Sequence, residues 1–235
     1  MYDGTVSGRY AKAAVDGTRR IAPPRRRAVF PDAGGGASRG LDLIIALAAI
    51  IFTLPLLIVI FLAIQAQDGG PAIFAHERVG RGGRTFKCLK FRSMVLDAEA
   101  RLGEVLRTDP AARAEWTRDH KLRVDPRITR VGDFLRRSSL DELPQLFNVL
   151  RGEMSIVGPR PIVVAEIPRY GRRFDAYRAV RPGITGLWQV SGRNDVSYRR
   201  RVAMDAFYAR NKSLAWDLKL LLLTVPAVLF GNGSY

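Results

Sequence analysis

The chain has 235 residues, room for one ordinary domain with extras, and its 47% apolar content excludes a disordered protein. Its 38 Lys and Arg against 22 Asp and Glu leave a net charge of +16, which calls for an anionic partner: nucleic acid, anionic lipid or a phosphorylated small molecule. A single cysteine, Cys88, excludes an intrachain disulfide framework, and with only two histidines no zinc-site spacing exists.

Residues 1–38 read as a disordered basic tail rich in Gly, Ala, Pro and Arg, with eight basic and three acidic residues through Gly40. Such a tail is a solvated linker or an attraction to anionic lipid, since it precedes an apolar run. It does not read as a secretory signal, because that run is too long and too far from the start. From Leu43 to Ile64 no residue is charged, and 22 residues of helix measure roughly 33 Å, enough to span a bilayer. Pro55 interrupts the run and basic residues flank both ends. A helix that enters, bends at Pro55 and returns to the same face satisfies both observations, although a kinked span is also tolerated. A membrane helix-break-helix is therefore expected over residues 39–68.

Residues 69–235 read as a small cytosolic domain. Residues 72–74 and 84–92 predict a β-hairpin around the Gly80–Gly83 turn. Helices are predicted over 94–106, 109–120, 131–135, 140–150, 164–180, 202–209 and 214–229. Gly158-Pro159-Arg160-Pro161 must be extended or turned, residues 181–186 read as a loop, and Leu187–Val190 as a short strand. The last helix, broken by Pro226, fits packing on the domain or lying at the membrane interface. The expected fold is thus α+β and mainly helical, with the membrane segment followed by a domain holding one hairpin and interfacial helices.

The chemistry is expected in residues 136–152, RRSSLDELPQLFNVLRG. Asp141 and Glu142 are adjacent carboxylates under the charge of Arg136 and Arg137, an arrangement that can hold a divalent cation and a phosphorylated substrate. The same residues fit a capping box, with Ser139 as N-cap and Glu142 at the third helical position. Both readings stand on spacing alone, since a helix N-terminus favours carboxylates and phosphates alike. Lys90 and Arg92 share a strand face, either solvated or suited to a diphosphate. Arg160, between Pro159 and Pro161, has little backbone freedom and is pre-placed as a clamp for a phosphate or a base edge, although such loops also serve only to turn. The same two readings apply to Arg181 and Arg193. Trp188 and Trp216 read as core or interface anchors. No phosphate-binding loop of the Walker type, no strand-linked GxGxxG and no GxSxG elbow occurs.

Taken in order, the apolar segment with central Pro55, GPAIFAHERVG, FKCLKFRSM, DPRITRVGDFLRRSSLDELPQLFNVLRGEMSIVGPRP, RPGITGLWQVSGRN and DAFYARNKSLAWDLKLLLLT resemble the bacterial sugar transferase family. These are the monotopic phosphoglycosyl transferases that act on polyprenyl phosphate. The resemblance runs from Arg39 to the C-terminus and implies a re-entrant hairpin in the cytoplasmic leaflet of the bacterial inner membrane. It also implies transfer of a sugar-1-phosphate, galactose or glucose favoured, from a UDP-sugar to undecaprenyl phosphate with release of UMP, opening exopolysaccharide or O-antigen assembly. By similarity Asp141 is the nucleophile, forming an aspartyl-phosphosugar intermediate, and Asp141 and Glu142 hold Mg²⁺. Lys90, Arg92, Arg136 and Arg137 are implied phosphate contacts, Arg181 an implied substrate contact, and Pro159-Arg160-Pro161 the nucleotide end. A second copy of the chain and inner-membrane lipid are implied partners, nucleic acid is not, and the chain resembles the minimal catalytic form. Ser38, Leu54 and His76 depart from residues common in the family. Two rivals remain at this point: a membrane-anchored nucleic-acid binder, which would take the charge at face value, and a conventional glycosyltransferase releasing UDP, whose acidic metal motif is not found.

Overall fold

The computed structural model describes residues 35–119, 122–192 and 196–230. The basic tail over 1–34, Arg193 and residues 231–235 lie outside them. The domain is mainly helical, as expected, with two small sheets where a single hairpin was expected. Helix α1, Gly35–Asp68, begins three residues before the expected end of the tail and, where a helix-break-helix was expected, runs through Pro55 without interruption. Its 34 residues measure about 51 Å at 1.5 Å per residue.

Both ends of α1 are tied to the same body. Near the start, Arg39 donates to the Val149 carbonyl at 2.8 Å, and the Asp42 carboxylate accepts from the Ser155 hydroxyl at 2.9 Å and the Ile156 N–H at 2.8 Å. Ser38 is buried and donates to Asp217. Near the end, Leu57, Ile60 and Ile64 pack with Phe91 and Leu135, and Asp68 receives the Arg92 guanidinium. Between these anchors Ile44, Ile51, Phe52, Val59 and Leu62 stay exposed, Phe52 at 87%. Leaving each such side chain in water forgoes about 1.5–3 kcal/mol, so this face requires an apolar surrounding.

Strands β1, Ile73–Val79, and β2, Thr85–Phe91, form the expected antiparallel hairpin, paired from Ile73↔Phe91 to Val79↔Thr85. Gly82 and Gly83 close its turn at φ of 72° and 78°, where a Cβ would be strained. Helices α2, Ala98–Thr108, and α3, Pro110–Asp119, pack on each other beside it. Then follow α4, Arg130–Arg137, a 3₁₀ turn over Leu140–Glu142, and α5, Gln145–Leu150. Asn148, fully buried, sews α5 to β2: it accepts from the Leu89 N–H at 2.9 Å and donates to the Lys87 carbonyl at 2.8 Å.

Strand β3, Ser155–Val157, pairs in parallel with β4, Gly183–Thr185. The crossover between them carries α6, Ile167–Tyr170, and α7, Phe174–Ala179. Three expectations are corrected here. The segment 164–180 is not one helix, because Gly171, at φ 48°, breaks it. The expected loop at 181–186 contains β4, a strand of three residues stabilised by pairing with a distant partner. The expected strand at Leu187–Val190 is a helical turn, α8, started by Gly186 and turning Trp188 into the interior. Helices α9, Tyr198–Asn211, and α10, Leu214–Phe230, close the chain as expected.

Candidate active site

Residues 138–142 turn sharply between α4 and α5. Thr129 caps α4, accepting from the Gly132 N–H at 2.9 Å, and a Cβ on Gly132 would lie 2.0 Å from the Ser93 carbonyl oxygen, so only glycine lets α4 sit this close to the end of β2. Ser139 then adopts φ 57°, ψ 15°, the one left-handed non-glycine among the described residues. Such a conformation persists only where the surroundings over-determine it. The capping box expected from spacing is not formed. The Ser139 hydroxyl makes no cap bond; only its carbonyl accepts from the Glu142 N–H, at 3.2 Å.

The carboxylates are therefore free of local backbone duty, and both turn to Lys90. Its Nζ lies 2.7 Å from Glu142 Oε1 and 3.3 Å from Asp141 Oδ2. Asp141 is 8% exposed. Burial pushes its carboxyl above the usual range, Glu142 beside it adds to the rise, and Lys90 and Arg136 only partly offset it. Burial acts on Glu142 in the same sense, but Lys90 and Arg160 outweigh it and hold its carboxyl below the usual range. Two adjacent acids are thus driven apart, the arrangement that separates roles in a catalytic pair.

Arg136 Nη1 is buried without a hydrogen-bond partner, and its charge reaches Asp141. A buried donor left open beside this carboxylate pair suits an incoming anion. Arg160 lies over the Trp188 ring, 5.6 Å from its centroid, and its charge reaches Glu142. Trp188, 4% exposed, is the interior anchor expected of it, with Arg201 over its ring at 4.6 Å. The Pro159 carbonyl accepts from the Gly183 N–H at 2.8 Å, and that of Pro161 accepts from Arg78 at 3.3 Å, so the loop is held between β4 and β1.

The remaining sequence candidates are committed elsewhere. Arg92 does not share a diphosphate-binding face with Lys90: it follows β2, is 8% exposed, and forks onto Asp68, with Nη1 to Oδ2 at 2.6 Å and Nε to the Pro71 carbonyl at 2.8 Å. Arg137 pairs with Asp133 on the outer side of α4. Arg181 donates to the Gly152 carbonyl at 2.9 Å. Sequence reasoning missed Asn148, Tyr177 and Arg78 as site-builders. Tyr177, 1% exposed, donates to the Val79 carbonyl at 2.7 Å and accepts from the Ile162 N–H at 3.2 Å, pinning the chain after Pro161 to β1. For Arg78 a signal existed: period-two alternation puts it on the hairpin face of Lys90.

The donor set also bears on a metal. Asp141 and Glu142 offer hard oxygen ligands, and Lys90 and Arg136 together leave Asp141 undercompensated. Among the described residues no group of three or more His, Cys, Asp or Glu could hold an ion. The pair fits a cation that completes its shell with phosphate oxygens and water, as Mg²⁺ does.

Residues 35–231 match the bacterial sugar transferase family. The UDP-galactose-lipid carrier transferase of Erwinia amylovora is 57% identical over 197 residues, 84% of this chain and 41% of that protein. The undecaprenyl-phosphate galactose phosphotransferase of Salmonella typhimurium is 52% identical over the same share of each. The exopolysaccharide production protein ExoY of Sinorhizobium fredii is 48% identical over 212 residues, 90% of this chain and 94% of that one. The chain spans about two fifths of the first two relatives. A match over so much of this chain, including the turn that carries Asp141 and Glu142, makes it a member of the bacterial sugar transferase family.

Proposed function

We propose that the protein transfers a sugar-1-phosphate from a UDP-sugar to undecaprenyl phosphate, releasing UMP, and so opens the assembly of an exopolysaccharide or O-antigen repeat. The observation that carries this reading is the Asp141–Glu142 pair, Asp141 buried and Glu142 half-buried, relieved of capping and engaged by Lys90. Asp141 attacks the sugar-bearing phosphorus and forms a phosphosugar-aspartyl intermediate, which the lipid phosphate then resolves. Mg²⁺ held by Asp141 and Glu142 would neutralise the diphosphate and the leaving nucleotide. Lys90 orients both carboxylates, and the open Nη1 of Arg136 receives a phosphate oxygen. Galactose is the favoured hexose, from the names of the Erwinia and Salmonella relatives, with glucose next.

The membrane setting follows from α1. Its exposed apolar middle lies in lipid, and its two ends, bound to one domain, return to the cytoplasmic face of the inner membrane. The undecaprenyl phosphate then meets the site at the bilayer surface. The test is nucleotide release: membranes containing the protein receive undecaprenyl phosphate, Mg²⁺ and a panel of UDP-sugars, and UMP and UDP are quantified. UMP from one sugar supports the reading and names the donor. UDP would instead mean ordinary glycosyl transfer, with no work for Asp141.

A further inference from the structure

The backbone N–H groups of residues 160–163 are held by side chains. That of Ile162 donates to the Tyr177 hydroxyl at 3.2 Å and that of Val163 to Glu166 Oε2 at 2.9 Å, while Pro161 has none. The Arg160 N–H donates to the carboxylate of Asp205, which reaches it from α9. Asp205 is 2% exposed and also accepts from the Tyr170 hydroxyl, at 2.7 Å. Arg201 stands one turn earlier on α9, and it and Arg160 both lie over the Trp188 ring. These like charges act against each other: burial, then Arg160, depresses the basicity of Arg201, while Tyr198, Asp205 and Glu166 oppose the fall. Arg160 is in turn one of the charges that hold Glu142 ionised. A neutral amide oxygen at position 205 could accept both hydrogen bonds without the penalty of a buried charge. The charge of Asp205 therefore has another use, and the two guanidiniums on one indole supply it.

We propose that Asp205 is a positioning residue for Arg160: its carboxylate fixes the arginine's own N–H and supplies the counter-charge that lets Arg160 and Arg201 share Trp188. Asp205 is too deep to touch a substrate, so it acts on turnover only through Arg160 and, beyond it, Glu142. This rests on the phosphosugar-transfer reading for the activity by which it is assayed. The groups that face Asp205 are Arg160 of the loop, Tyr170 of α6, Tyr177 of α7, and Tyr198 and Arg201 of α9, with Glu166 behind Tyr198. Burial pushes the Asp205 carboxyl up to about 7; the Tyr170 hydroxyl, the charge and N–H of Arg160 and the charge of Arg201 oppose it, in that order. Above this value the counter-charge is present. Below it Arg160 and Arg201 face each other uncompensated, and Arg160 loosens from Trp188 and from its effect on Glu142. Turnover therefore falls as pH drops through about 7, in addition to the fall caused by protonation of Asp141.

The test uses the full chain in lipid nanodiscs, with thermal unfolding to confirm folding. The kcat/KM for nucleotide release is followed through neutral pH and taken as the ratio of parental protein to variant, in which the Asp141 limb cancels. Asp205→Asn keeps the acceptor and loses the charge. The ratio should stay near one on the acid side and climb to about tenfold on the alkaline side, the worth of a hydrogen bond to a charged group. Tyr170→Phe withdraws a donor that favours the carboxylate, so its limb should move to higher pH. A ratio that does not vary with pH, or a limb unmoved in folded Tyr170→Phe, would reduce Asp205 to packing and overturn the proposal; Tyr170→Phe decides the matter if Asp205→Asn does not fold. A second readout needs no turnover. The chain has three tryptophans, and with Trp116→Phe and Trp216→Phe only Trp188 emits. Its fluorescence should titrate near pH 7 and lose that transition when Asp205→Asn is added; emission that is flat with pH would also overturn the proposal. A Trp188 transition in a protein that releases no nucleotide at any pH would uphold the role of Asp205 in setting Arg160 and count against the phosphosugar-transfer reading alone.

Discussion

Asp141 and Glu142 are neighbours in sequence and opposites in titration, and the difference follows from where their charge partners stand. Lys90 is closer to Glu142 than to Asp141 by 0.6 Å, from 2.7 and 3.3 Å, and Arg160 favours Glu142 as well. Asp141 is left buried with its carboxyl raised. A nucleophilic carboxylate must be ionised, so turnover should fall as pH drops through this raised value, at a higher pH than an ordinary aspartate would give. A cation bound at the pair favours the ionised form. The acid limb of kcat/KM should therefore move to lower pH as Mg²⁺ is increased, and a limb independent of Mg²⁺ would separate the metal from Asp141. Asp141→Asn keeps the shape and removes the proposed nucleophile. It should lower turnover by at least about a thousandfold, as loss of a covalent catalyst does, with membrane attachment retained on flotation. Near-parental activity in this variant would take Asp141 out of its role.

At the scale of elements, two close approaches hold the site loop. A Cβ on Gly183 would lie 2.0 Å from the Gly158 backbone nitrogen, and one on Gly186 would lie 2.2 Å from the Gly158 carbonyl oxygen. Backbone cannot give way as a side-chain end can. Gly183→Ala should thus destabilise the domain by about 1–3 kcal/mol or more, the usual cost of overpacking. Gly103→Ala, on an open face of α2 where a Cβ meets nothing within 4 Å, should be neutral or stabilising; equal denaturation midpoints for the two variants would refute the argument. These same contacts explain what the sequence could and could not reveal. The hairpin, the apolar helix and the long closing helices were legible because each rests on a local period or a glycine turn. Strand β4 was not, since three residues carry no period and are strands only by pairing with β3. Arg92 looked like the twin of Lys90 from its spacing, yet Asp68, 24 residues away, claims it. Ser139 matched a capping box in its pattern, and the left-handed turn that frees Asp141 and Glu142 is visible only in the backbone.

For the whole molecule the decisive question is how α1 meets the bilayer. A straight helix of about 51 Å exceeds the roughly 30 Å hydrocarbon core, and spanning it would carry one end away from the domain. At one end that would strip Asp42 of Ser155 and Ile156 and Arg39 of Val149; at the other it would strip Asp68 of Arg92. A buried charge that loses its partners costs several kcal/mol, and basic residues beyond both ends oppose translocation. The re-entry proposed above would keep every one of these bonds and still place Phe52 and its neighbours in lipid, with Pro55, which withholds one backbone N–H, at the deepest part. Single cysteines report this directly. Gly36 has nothing within 4 Å of a Cβ and Gln67 is exposed, so both accept the change. Native Cys88, buried with its thiol pushed up to about 11, contributes little background. With a membrane-impermeant maleimide, Gly36→Cys and Gln67→Cys should both label in inside-out vesicles and neither in right-side-out ones, while Phe52→Cys should label in neither. Labelling of the two ends from opposite sides would establish a span. Adding Pro55→Leu should shift the pattern toward that split, because the straightened helix can then cross, at the expense of the contacts that bind Arg39 and Asp42 to the domain carrying Asp141.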